Sequence, residues 1–118
     1  MRIVQINATC GVGSTGKICV AVSEKLTKRG IENYILYCGK ESDYPCSIQY
    51  ADVHCIKTEA LRSHLNGRYG FNSKAITRRL ISHLDKIRPD IIHLHNIHGH
   101  NCDLEELFHF LAGRHVKN

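Results

Sequence analysis

Arg2-Ile3-Val4-Gln5-Ile6-Asn7, with Thr9-Cys10-Gly11-Val12-Gly13-Ser14-Thr15-Gly16-Lys17 close behind it, is the stretch from which the fold of this chain is read. A short, mostly apolar run leads into three glycines, and an amphipathic run starting at Ile18 leads out. Glycines between a strand and a helix let the backbone come close to a ligand, and the helix start offers unpaired N–H groups and a positive dipole end to an anion. The loop meets two patterns at once: Gly11-x-Gly13-x-x-Gly16 is a dinucleotide fingerprint, and Gly11-x4-Gly16-Lys17 is most of a P-loop. Ile18 stands against the P-loop, because a Ser or Thr belongs there to hold Mg2+. The dinucleotide reading wants an acidic residue ending the second strand, whereas that strand ends Cys38-Gly39-Lys40 and Glu41 arrives late. A third reading is a tight turn whose glycines serve only close helix–sheet packing.

Working outward, residues 2–7 read as a strand buried on both faces, as in a parallel sheet. A helix is expected from about Lys17 to Lys28, with Ile18, Ala21, Val22 and Leu26 inward and Glu24, Lys25 and Lys28 outward. Gly30 sits where a C-cap glycine belongs, and Tyr34–Cys38 is a second strand, completing a βαβ unit. Gly39 to Asp52 reads as a polar loop carrying Pro45, and Val53-His54-Cys55-Ile56 as a short third strand. Leu61–Phe71 is ambiguous, since Gly67 and Gly70 interrupt it. Beyond it, Ser73 is placed as the N-cap of a helix in which Ile76, Leu80, Ile81, Leu84 and Ile87 recur at helical spacing and Pro89 ends the run. Asp90–His95 is the next strand, and Asp103 caps a last helix with Glu106 at the capping-box position, an apolar stripe of Leu104, Leu107, Phe108 and Leu111, and Gly113 as its stop. The expected class is α/β, a Rossmann-like open parallel sheet with strand order 3-2-1-4 at about residues 53–56, 34–38, 2–7 and 91–95.

The 118 residues suit one domain, and no apolar run is long enough to span a membrane. The first residues turn charged too soon for a signal peptide, so the expected location is cytoplasmic. A net charge of +5 suits an anionic partner, but the basic residues are scattered. The densest group, Lys74, Arg78, Arg79 and Lys86, reads as one solvated helix face, so no nucleic acid is expected. Six cysteines without a C-x-x-C pair read as reduced, mostly buried small hydrophobes.

A second constellation is His93-Leu94-His95-Asn96-Ile97-His98-Gly99-His100-Asn101-Cys102. Its histidines invite a zinc site, yet the spacing fits no common zinc motif and no carboxylate partner is obvious. Its position is more informative. In an open parallel sheet, ligands bind beyond the carboxyl ends of the strands, so the glycine loop and this loop face each other if their strands are neighbours. Polar side chains there suit a sugar or a phosphate.

Three separated motifs carry a family resemblance. Arg2-Ile3-Val4-Gln5-Ile6-Asn7 with Gly13-Ser14-Thr15-Gly16-Lys17-Ile18 resembles the start of bacterial family 4 glycosyltransferases of the GT-B fold. Tyr69-Gly70-Phe71-Asn72-Ser73-Lys74-Ala75-Ile76-Thr77 is similar to their G-F-G-S-K-x-A-T stretch, with Asn72 in place of a glycine. Arg88-Pro89-Asp90-Ile91-Ile92-His93-Leu94-His95-Asn96-Ile97-His98-Gly99 resembles the P-D-I-I-H-L-H-N-I-H-G signature of the exopolysaccharide (colanic-acid-type) subgroup. Such enzymes have two Rossmann-like domains with the active site between them. Residues 1–118 would form a partial amino-terminal, acceptor-side domain, with the second domain and the family's catalytic histidine beyond residue 118. The resemblance implies transfer of a sugar from a nucleoside diphosphate donor to a saccharide or lipid-linked saccharide acceptor, with retention, without a required metal or cofactor, and with peripheral contact to the inner face of the membrane. It implies that Gly13, Ser14, Thr15, Gly16 and Lys17 approach the donor diphosphate, and that His95, Asn96, His98 and Gly99 line the acceptor site. His100-Asn101-Cys102 replaces the subgroup's usual aromatic pair, which touches acceptor preference. The rival class is a non-enzymatic phosphate- or nucleotide-binding α/β module.

Overall fold

The computed structural model describes residues 1–67, 74–97 and 101–114. Four strands and four helices are defined in them: β1 (Arg2–Asn7), α1 (Gly13–Lys28), β2 (Glu32–Gly39), β3 (Ser47–Asp52), α2 (Val53–Asn66), α3 (Lys74–Ile87), β4 (Ile91–Leu94) and α4 (Leu104–Ala112). The strands make one all-parallel open sheet in the order β3-β2-β1-β4, an α/β, Rossmann-like arrangement. The expected strand order is therefore present, with one strand misplaced in sequence. The third strand is Ser47–Asp52, inside the segment read as a loop, and Val53-His54-Cys55-Ile56 is the first turn of α2. The reason lies in Asp52, whose carboxylate accepts the N–H of Cys55 at 2.8 Å and so caps a helix at the point where the apolar run begins. Leu61 to Asn66 continue that helix, and Gly67 ends it in the left-handed conformation at φ +67°.

Both faces of the sheet are covered, by different chemistry. Val4, Ile6, Leu36, Cys38 and Ile92 pack beneath Ile76, Leu80 and Leu84 of α3 and Leu107 and Leu111 of α4, forming the main apolar core. Of the expected stripe on α3, Ile76, Leu80 and Leu84 are buried, while Ile81 and Ile87 are only partly so. On α4 the stripe is rotated, since Phe108 is half-exposed and Phe110 packs toward the core instead. Asp103 does cap α4, accepting the Glu106 N–H at 3.0 Å. The return arm of a capping box is absent, because the Asp103 N–H donates to Thr77 Oγ1 at 2.6 Å on α3. The N-cap expected at Ser73 lies outside the described residues.

The other face carries α1 alone among the described helices, and here the reading from sequence fails in an instructive way. The helix begins at Gly13, four residues before the expected start, and its buried residues are Gly16, Cys19 and Ser23. Ile18 and Ala21, expected inward, are exposed, and Val22 and Leu26 are half-buried beside Ile3 and Ile91. The sheet face beneath is mixed: Gln5 and Asn7 are fully buried there and Asn33 nearly so, beside Ile35 and Tyr37, which are buried with Cys10 and Cys19. The polar groups need hydrogen bonds at close range, so small side chains face them rather than branched apolar ones. Gln5 Nε2 donates to the Cys19 carbonyl at 3.0 Å. Ser23 donates to Asn33 Oδ1, Asn33 Nδ2 donates to Thr27 Oγ1 at 3.0 Å, and the Tyr44 hydroxyl donates to Ser23 at 3.0 Å.

All six cysteines are free thiols, four of them buried. Burial pushes the Cys19 and Cys38 thiols up to about 11 and Cys102 up to about 12, so these three stay protonated and inert. Lys74, Arg78, Arg79 and Lys86 are exposed along α3 as read. No helix among the described residues is long and apolar enough to cross a membrane.

Candidate functional site

The site is built where β1 and β4 end side by side. Parallel pairing of Ile3–Ile6 with Ile91–Leu94 brings the glycine loop after β1 against the segment after β4. The two loops are tied at two points: the His95 N–H donates to the Ile6 carbonyl at 2.9 Å, and the Asn96 N–H donates to Asn7 Oδ1 at 3.1 Å. The other end of the Asn7 amide holds the glycine loop, donating to the Thr9 carbonyl at 2.8 Å and to Thr15 Oγ1 at 3.4 Å. One buried asparagine therefore sets the spacing between the two halves of the site.

Each glycine of the loop has its own job. Gly11 and Gly13 lie at φ +72° and +69°, in the left-handed region that L side chains avoid. Gly16 is different, being fully inside the packing: a Cβ there would stand 2.7 Å from Thr9 Oγ1 and 3.1 Å from the Gly11 nitrogen. The Gly11 N–H donates to the Gly16 carbonyl at 3.1 Å, and the Thr9 hydroxyl donates to the Val12 carbonyl at 2.8 Å, folding the loop back on the first turn of α1. The N-cap, Val12, provides no side-chain hydrogen bond, and the first turn has no acidic residue. By helix geometry, Gly16 is the first residue whose N–H is taken by the intrahelical ladder. Gly13, Ser14 and Thr15 thus offer the open N–H groups of the expected five, Gly16 secures close packing, and Lys17 is exposed beside them.

The β4 half presents His95 and Asn96; His98 and Gly99 lie outside the described residues. His93 and His95 share a face, as alternation requires, with ring centroids 4.0 Å apart. The His95 Nε2 lies 2.9 Å from Gln5 Oε1. Burial, and then the neighbouring His93, hold the His95 imidazole below the ordinary histidine range, so it is neutral at pH 7. Among the described residues no three His, Cys, Asp or Glu side chains come together in a way that could hold a metal ion.

Three contributors were not singled out from the sequence: Gln5, Asn7 and Asp43. Gln5 and Asn7 had a visible signal, since a glutamine and an asparagine at alternate positions of a buried strand must be hydrogen-bonded to something. Glu41, Ser42 and Asp43 line a cleft of about 430 Å3 with Cys10, Gly11 and Val12. The acid that comes late in sequence is thus close in space, because the segment after β2 folds back against the glycine loop. No family model, curated protein or solved structure matches the chain.

Proposed function

We propose that this chain is an acceptor-side, Rossmann-like domain of a retaining GT-B glycosyltransferase that transfers a sugar from a nucleoside diphosphate donor to a saccharide acceptor. The observation that carries the reading is the meeting of two unlike surfaces at the ends of β1 and β4. One is the uncapped first turn of α1, at Gly13, Ser14 and Thr15, which suits a diphosphate. The other is the neutral His95 ring and the Asn96 side chain, whose oxygen has no partner among the described residues, groups that suit hydroxyls. The leaving diphosphate gains charge as the bond between its oxygen and the anomeric carbon of the sugar breaks, and N–H groups already aimed at it stabilise that charge without reorganisation. The motifs after β1, before α3 and through β4 support the same reading.

The experiment is a transfer assay on the full-length product of the reading frame, using a panel of nucleotide hexoses and oligosaccharide acceptors with detection of released nucleoside diphosphate. Acceptor-dependent release is expected. No release from any donor refutes the transferase. The isolated 118-residue chain is expected to bind nucleotide sugars weakly, since most donor contacts in such enzymes come from the second domain; a low-micromolar dissociation constant by calorimetry would contradict this. That outcome would favour the second reading, a nucleotide-binding module, for which the specific support is the position of Glu41 and Asp43 beside Gly11 and Val12, where carboxylates accept ribose hydroxyls.

A further inference from the structure

Gln5 has no exposed surface, and its amide meets two groups of known hydrogen-bonding character. On one side is the Cys19 backbone carbonyl at 3.0 Å, on the other the His95 Nε2 at 2.9 Å. A backbone carbonyl can only accept, so the amide nitrogen has to face Cys19 and the amide oxygen has to face His95. An amide oxygen can only accept in turn, so the ring nitrogen opposite must carry a proton. We propose that Gln5 is a positioning residue that fixes His95 as its Nε2–H tautomer, leaving Nδ1 as a hydrogen-bond acceptor for a ligand hydroxyl at the carboxyl ends of β1 and β4.

The geometry around the ring supports this assignment. The His95 backbone is anchored to Ile6 and the next peptide to Asn7, so ring and strand are both held to β1. Among the described residues Nδ1 has no hydrogen-bond partner, and the ring is half-buried rather than enclosed. Packed against it are His93 on the same strand, the neutral Gln5 on β1 and, through Gln5, the Cys19 backbone of α1. At a bare Nδ1 a neutral imidazole accepts from O–H and offers no proton to an oxyanion. The two halves of the site therefore differ in sign: α1 presents donors, whereas His95 presents an acceptor. Which hydroxyl arrives there rests on the transferase reading, whereas the state of the ring does not.

The test is nitrogen NMR of the uniformly labelled chain at pH 7.5, with the His95 ring identified by the loss of its signals in His95→Gln. The expected pattern is a protonated Nε2 and a bare Nδ1, unchanged in protonation when inorganic phosphate is added. Gln5→Met, close in volume but without the acceptor, should leave Nε2–H unprotected from exchange and let the ring average between tautomers. A proton on Nδ1 in the wild type, an unchanged ring pattern in folded Gln5→Met, or protonation of the ring by phosphate would each overturn the proposal. If Gln5→Met does not fold, the wild-type pattern and its response to phosphate decide alone. Failure of the transferase reading would appear as missing sugar transfer by the full-length protein and would leave these spectra as they are.

Discussion

Replacing Gly16 by Ala tests the packing of the glycine loop, because helix propensity and tertiary contact predict opposite signs. In an exposed helix interior, Gly→Ala stabilises by roughly 0.5–1 kcal/mol. Here the new Cβ would lie 2.7 Å from Thr9 Oγ1 and 3.1 Å from the backbone nitrogen of Gly11. The hydroxyl is not free to swing away, since it donates to the Val12 carbonyl at 2.8 Å, and moving the nitrogen strains its bond to the Gly16 carbonyl. Losing one such bond costs about 1 kcal/mol and forcing a methyl into a packed site about 1–3 kcal/mol. Set against the propensity gain, the net expectation is a loss of about 1–3 kcal/mol, or roughly 4 °C in Tm per kcal/mol for a chain of this size. The assay is urea and thermal denaturation of the wild type, Gly16→Ala, Thr9→Ala and the double variant. Thr9→Ala removes the nearest clashing atom, so the double variant should recover at least about 1 kcal/mol relative to the sum of the single changes. A Gly16→Ala protein as stable as the wild type, or additivity with Thr9→Ala, would refute the close packing of the loop.

Ser23→Ala and Ser63→Ala remove two buried hydroxyls and should act in opposite directions. Ser23 is bonded to Asn33 and Tyr44, so its loss should cost about 2 kcal/mol, whereas the Ser63 oxygen is buried without a partner among the described residues and its removal should be neutral or stabilising by about 1 kcal/mol, both read by urea titration. Thr77→Val deprives the Asp103 N–H of its acceptor and should cost about 1–3 kcal/mol; a neutral result would mean that α4 does not depend on α3 for its first turn. His83 and His95 are both held below the ordinary histidine range, chiefly by burial, so the unfolded chain takes up protons first as pH falls. Their contribution to stability is complete above about pH 6.5 and is lost as pH falls through their lower folded values. The double variant His83→Asn/His95→Asn should therefore show a shallower fall in stability between pH 7 and 5 than the wild type; equal slopes would contradict the assignment.

Much of this molecule was legible from local pattern. The β1–loop–α1 unit, the stripe on α3, the Asp103 cap and the four-strand parallel order follow from apolar periodicity and from which residues start and stop helices. These signals act over a few residues, so a linear reading captures them. The misreadings share a cause. Val53–Ile56 looks like a strand until Asp52 caps it, and Ile18 and Ala21 look like core until the sheet face beneath α1 proves partly polar. Inward orientation is set by what lies opposite, and nothing within α1 announces that Gln5, Asn7 and Asn33 will be there. The candidate site divides in the same way. The loop glycines and the histidines of β4 could be named from the sequence, because residue type and spacing carry that information. Which N–H groups stay open and which glycine is pure packing were decided by how the loop folds back on the first turn of α1, and how Asn7 and Gln5 hold the two halves together was decided by the pairing of β1 with β4. That pairing joins residues some ninety positions apart through hydrogen bonds that no local pattern specifies.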